Sequence, residues 1–101
     1  MKRLAPQDRK AAILAAALIL AEKQGYQKIT RESVATQARV SPALVSHYFN
    51  AMDDLRAAVM REAVRVENLA VVLQGITAKD PAISAASTWL KAKAINSMTE
   101  L

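Results

Sequence analysis

Residues 31–50 read RESVATQARVSPALVSHYFN, and this stretch restricts the fold more than any other. Thr30 is placed to cap a helix over residues 31–38, and Ser41 is placed to cap a second one. Pro42 then falls at a first helical position, where its missing N–H does no harm. The second helix should end near Phe49 or Asn50. Neither segment can persist alone, because isolated helices shorter than about 12 to 15 residues are marginal in water. Both must be braced, and Val34, Ala35, Ala38, Val40, Val45 and Phe49 supply the apolar surface for that. Ala35 lies where the second short helix would cross the first, so a larger side chain there would push them apart. A small residue, a tight turn, an apolar residue directly after it and a β-branched residue midway along the next helix make a helix-turn-helix pattern.

The brace is expected upstream. A helix from about Gln7 to Gln24 carries Asp8 in its first turn and is followed by Gly25, which can take up a positive φ at no steric cost. Ile13, Leu14, Ala17, Leu18, Leu20 and Ala21 cover most of its surface, as in a central, buried helix. Downstream, Leu55, Val59, Ala63, Val66, Leu69 or Ala70, and Leu73 recur at helical spacing. They predict one long helix capped by Asp53, running to Gln74 and stopped by Gly75. Asp80 and Pro81 would open a fifth helix with Ile83, Ala86, Leu90 and Ala94 on one stripe. No strand pattern, internal repeat or low-complexity linker interrupts this reading. The chain is expected to be all-α with about five helices: a three-helix unit over residues 1–52 and a helical region over 53–101.

On a helical wheel of the second short helix, Val45 and Phe49 point inward. Ala43, Leu44 and His47 point outward, and Ser46 and Tyr48 lie at the margins. An outward face with alanine and leucine suits a helix pressed against another molecule better than a solvated one. Small apolar side chains of this kind can contact thymine methyl groups in a major groove. His47 is the only histidine, no cysteine is present, and no carboxylate lies within a helical turn of it. Catalysis and metal binding are therefore not expected, and no cofactor is implied. The charge distribution points the same way. Of the net charge of +5, all sits in residues 1–50, where eight basic residues face three acidic ones; the rest of the chain is neutral. A basic half followed by a neutral half suggests a polyanion-binding unit joined to something else. Lys28 and Arg31 flank a helix N-terminus, itself attractive to phosphate. Lys2 and Arg3 could form an arm, although disorder is the simpler expectation.

The run from Arg9 to Leu55 resembles the DNA-binding domain of the TetR family of bacterial transcriptional repressors. The resemblance is carried by ILAAALILAEKQGY, by the IT that opens the second helix, by SVATQARVS, and above all by LVSHYFNAMDDL. It implies that Thr30 presents a helix N-terminus to a phosphate, that Pro42, Ala43, Leu44 and Ser46 face base edges, that His47 meets a base or phosphate, and that Tyr48 reaches the backbone. Together with Arg39 at the groove and with Lys28, Arg31 and Ser41 at the phosphates, these form the expected DNA-contacting set. The chain departs from the family pattern at Arg39, where a glycine is usual, and at Met52, where a lysine is frequent.

The recognition helix has no Arg, Lys, Asn or Gln for bidentate base readout, so one copy should discriminate only modestly. A homodimer on a palindromic operator in double-stranded DNA is the economical arrangement, with half-sites roughly 10 bp apart. Val66, Leu69, Leu73, Ile83, Trp89 and Leu90 are the expected dimer surface. Residues 77–101 offer about one helix, so no small-molecule inducer pocket is expected. The eleven-residue apolar run AAILAAALILA is shorter than the roughly 20 residues a membrane span needs, and it reads as a first helix rather than an export signal, which places the protein in the cytoplasm with the nucleoid. The competing reading, from another class, is a protein–protein module that heterodimerises with a full-length repressor.

Overall fold

A computed structural model describes residues 5–98, so the arm residues Lys2 and Arg3 lie outside the described residues. The described elements are all helical: α1 (Pro6–Gln24), α2 (Arg31–Ala38), α3 (Pro42–Tyr48), α4 (Met52–Arg65), α5 (Leu69–Ala78), a 3₁₀ turn (Pro81–Ala85) and α6 (Thr88–Ser97). α1 lies at the centre, packing against α2, α4 and α5. Its Ile13, Ala17, Leu20 and Ala21 are buried, and one apolar cluster continues from them through Val34, Val45, Leu55, Val59, Met60 and Val71 to Ala94. No helix among the described residues is long and apolar enough to cross a membrane.

The expected long fourth helix is two helices. α4 ends at Arg65, Glu67 takes a left-handed conformation (φ 57°), and Asn68 caps α5 by accepting the Val71 N–H at 3.1 Å. The apolar stripe runs through both pieces, so spacing alone could not reveal the break. Asn68 also bonds Glu22 near the end of α1, which ties the bend to the central helix. Asp53 does not cap α4; Ala51 holds that position, and Asp54 accepts its N–H at 3.3 Å.

Gly75 does not end a helix either. It is buried within α5, and a Cβ there would lie 2.5 Å from the Met60 sulfur and 2.7 Å from Ile83 Cδ1. The glycine is needed for close packing of α5 on α4 and the 3₁₀ turn, not for a left-handed φ. α5 instead ends at Ala78, with Lys79 at its C-cap in a left-handed conformation (φ 56°). The expected fifth helix is likewise divided: Asp80 caps the 3₁₀ turn through the Ala82 N–H, and Ser87 caps α6 through the Leu90 N–H.

Three helices, α2, α4 and α5, thus stop in the same way. At each, the left-handed residue (Arg39, Glu67 or Lys79) donates its N–H to the carbonyl three residues back. The next residue donates to the carbonyl five back, completing a Schellman motif. None of the three is glycine, and each conformation costs on the order of 1 kcal/mol that surrounding packing must offset.

The N-terminal and C-terminal helices are joined by a polar clamp around Tyr26, which is 4% exposed. Its N–H donates to Gln74 Oε1 (2.8 Å), Gln74 Nε2 donates to the Ala21 carbonyl (2.8 Å), and the Tyr26 hydroxyl donates to Asp80 Oδ2 (2.9 Å). Burial and then the Asp80 carboxylate push the phenol pKa from 10.0 up to about 12.

Two outcomes follow from this packing. Gly75→Ala should destabilise the fold by about 1–3 kcal/mol, read as a lower melting temperature, because Met60 and Ile83 must both move. Tyr26→Phe should cost about 1–2 kcal/mol at neutral pH. Because the folded phenol titrates above the unfolded one, its stabilisation is complete below pH 10 and disappears as pH rises through about 12. The stability gap between wild type and Tyr26→Phe, measured by denaturant titration, should be constant to about pH 10 and close above it.

Candidate nucleic-acid interface

The α2–turn–α3 unit is held from inside by Val34, Ala35, Val45 and Phe49, all buried, so its outer surface is free to carry other residues. α2 begins with a reciprocal cap: Thr30 Oγ1 accepts the Ser33 N–H (3.1 Å), and Ser33 Oγ accepts the Thr30 N–H (3.0 Å). Ser41 Oγ accepts the Leu44 N–H (3.1 Å) at the start of α3. The hydroxyls of Thr30 and Ser41 are therefore engaged in capping, while both residues remain exposed.

Between the helices, Arg39 adopts φ 60°, with its N–H on the Thr36 carbonyl, while the Val40 N–H reaches the Ala35 carbonyl. This sharp reversal leaves Arg39 exposed beside the start of α3. A glycine would hold the turn with less strain.

On α3, Pro42, Ala43 and His47 are exposed, and Ser46 and Tyr48 are half-buried. Leu44 corrects the wheel: it is half-buried and packs against the core instead of pointing fully outward. The reason is length. A helix of seven residues has few positions with which to hold itself down, and Leu44 is recruited beside Val45. The His47 and Tyr48 rings meet edge to face, with centroids 4.9 Å apart, which orients both at the helix end.

Lys28 is exposed just before the α2 cap. Arg31 is not fully exposed: its Nη2 donates to the Asn50 carbonyl at 3.4 Å. Sequence reasoning did not single out Lys10, whose ammonium lies 5.3 Å from the Phe49 ring centroid. Lys10 also lines an open groove with Tyr48, Phe49 and Asn50 that continues to Arg61 on α4. Its position on α1, far from α3 in sequence, hid this neighbourhood. Among the described residues, no three or more His, Cys, Asp or Glu side chains cluster as a metal site would require.

Of the expected dimer surface, Val66 and Trp89 are 45% and 59% exposed, and Leu69 and Leu73 are half-buried. Ile83 and Leu90 are buried inside this chain. The folding back of the 3₁₀ turn and α6 onto α4 and α5 consumes them, so they are not available to a partner.

A short helix capped by Ser41 and Pro42, set across a second short helix by a tight turn and presenting an outer face beside basic residues, is a helix-turn-helix domain. Residues 13–59, just under half of the chain, match the family model described as bacterial regulatory proteins, tetR family, so the helix-turn-helix segment is of the TetR-family type. The HTH-type transcriptional regulator BetI of Paraburkholderia phymatum is 37% identical over 71 residues, covering 70% of this chain and 36% of that protein. BetI of Paraburkholderia xenovorans is 39% identical over 57 residues, covering 56% of this chain and 29% of that protein. The chain thus spans about a third of the length of the curated relatives it matches. No solved structure matches it.

Replacing Arg39 by glycine removes left-handed strain while adding backbone entropy to the unfolded chain, for a net gain of roughly 0.5–1 kcal/mol. Arg39→Gly should raise the melting temperature by about 2–5 °C. An unchanged or lower value would mean that the arginine side chain stabilises the turn.

Proposed function

We propose that the protein is a transcriptional repressor that binds a palindromic operator in double-stranded DNA as a homodimer. The carrying observation is the braced α2–turn–α3 unit with Pro42, Ala43 and His47 exposed on its outer face, within the segment that matches the family. The excess positive charge of residues 1–50 supports it, since neutralised phosphates supply most of the sequence-independent affinity. In this reading Pro42, Ala43 and Ser46 meet base edges, His47 meets a base or phosphate, and Arg39 enters the edge of the groove. Lys28, Thr30, Ser41 and Tyr48 meet the sugar–phosphate backbone, where a hydroxyl or helix end can position without specifying.

Homodimerisation follows from the poverty of α3 in bidentate readers. Without Arg, Lys, Asn or Gln, each half-site supplies few discriminating bonds, and doubling the site restores selectivity. Val66 and Trp89, exposed on the C-terminal half, offer apolar surface for a second copy. That same surface supports a second reading, in which the chain heterodimerises with another repressor; a purified protein that is monomeric and has no DNA affinity would favour it.

Selection from a random duplex pool at two salt concentrations tests the proposal. A palindromic consensus is expected, with affinity falling steeply as salt rises. Tyr48→Phe should weaken binding to all duplexes alike, whereas Ala43 or Ser46 substitutions should change the preferred sequence. Failure to enrich a palindrome, or affinity indifferent to salt, would overturn the reading.

A further inference from the structure

α3 packs chiefly on α2 and has only Val45 and, at its C-terminal cap, Phe49 fully inside. Its leading end is set by the Schellman turn at Arg39 and Val40. Two arginines secure the opposite side of the unit. Arg31, at the first position of α2, sends Nη2 to the Asn50 carbonyl, just beyond the end of α3 (3.4 Å). Arg56, on α4, sends Nη2 to the Ile29 carbonyl, the residue before the α2 cap (3.4 Å), while its Nη1 is held by Asp53 at 3.2 Å. The inner Nε of each is shut off from solvent. Together they link α4 to the start of α2, and the start of α2 to the end of α3. A planar guanidinium is suited to this because it reaches a carbonyl with fixed direction, and a positive head stabilises the negative end of the α3 dipole.

We propose that Arg31 and Arg56 are positioning residues that set the angle at which α3 meets DNA, and that Arg31 is not a phosphate ligand. This rests on the DNA-binding reading above. A positioning residue and a phosphate ligand leave different signatures. Losing a phosphate contact weakens binding to every duplex and lowers the salt dependence, by about 0.9 in the slope of log affinity against log salt for each contact. Losing orientation weakens the selected operator alone, because base contacts need geometry and phosphate attraction does not.

The experiment compares Arg31→Met, Arg31→Lys and Arg56→Lys with wild type, measuring affinity for the selected operator and for an unrelated duplex across a salt series. Circular dichroism melting runs in parallel. The expected result is an operator affinity reduced by about tenfold, with unrelated-duplex affinity changed less than about twofold and the salt slope kept even in Arg31→Met. Lys28→Ala serves as the contrasting variant, weakening both duplexes and lowering the slope. Equal losses on both duplexes with a reduced slope in Arg31→Met would make Arg31 a phosphate ligand and overturn the assignment. Lower melting temperature with intact operator affinity would also overturn it, reducing both arginines to stability alone. A wild-type protein that selects no duplex would remove the DNA-binding reading, and the assignment with it.

Discussion

The burial of α2 against α1, and of α3 against α2, governs the rest of the structure. Neither short helix carries enough backbone hydrogen bonds to outweigh the entropy of forming it. Ile13, Ala17, Leu20 and Ala21 on α1 provide an apolar wall, and Val34, Ala35, Val45 and Phe49 close on it. Removing those side chains from water holds two otherwise unstable helices in one arrangement. Ala35 sets how near the pair can approach, and the exposed face of α3 is whatever that packing leaves outside. The candidate interface is therefore the surface that the core leaves uncovered.

Helix termination shows how much of the fold is decided by packing rather than by local preference. Arg39, Glu67 and Lys79 all take left-handed conformations that glycine or asparagine would adopt more readily. Each nevertheless closes a Schellman motif, leaving the last carbonyls of its helix satisfied. At Arg39 the same residue places a positive charge beside the candidate DNA face. At Glu67 and Lys79 the reversals bring α5 and the 3₁₀ turn back over α4, where Gly75 permits close contact with Met60 and Ile83. The molecule uses one of its glycines, Gly25, for conformational freedom and the other for space.

Polar contacts then tie the two halves that charge distinguishes. Tyr26, Gln74 and Asp80 join the turn after α1 to α5 and the 3₁₀ turn, and Asn68 joins the α4–α5 bend to Glu22. These contacts join the candidate DNA-facing unit to the rest of the fold. Arginine carbonyl contacts at Asn50 and Ile29 extend the same logic to the far end of α3.

The amino-acid sequence by itself determined the helical class, the first three helices, the caps at Thr30 and Ser41, and the inward positions of Val45 and Phe49. These are local: propensity, capping chemistry and the 3.6-residue period act over a few neighbours. The family resemblance lay in the same contiguous run, which is why it too was legible. What only the tertiary structure decided were the break at Glu67, the role of Gly75, the half-burial of Leu44, and the internal use of Ile83 and Leu90. Each depends on which surface another helix covers, and an apolar stripe reads the same whether it faces its own chain or a partner. The turning of Arg31 toward Asn50 belongs with them, because a charged side chain near a helix N-terminus carries no local sign of the carbonyl it will find.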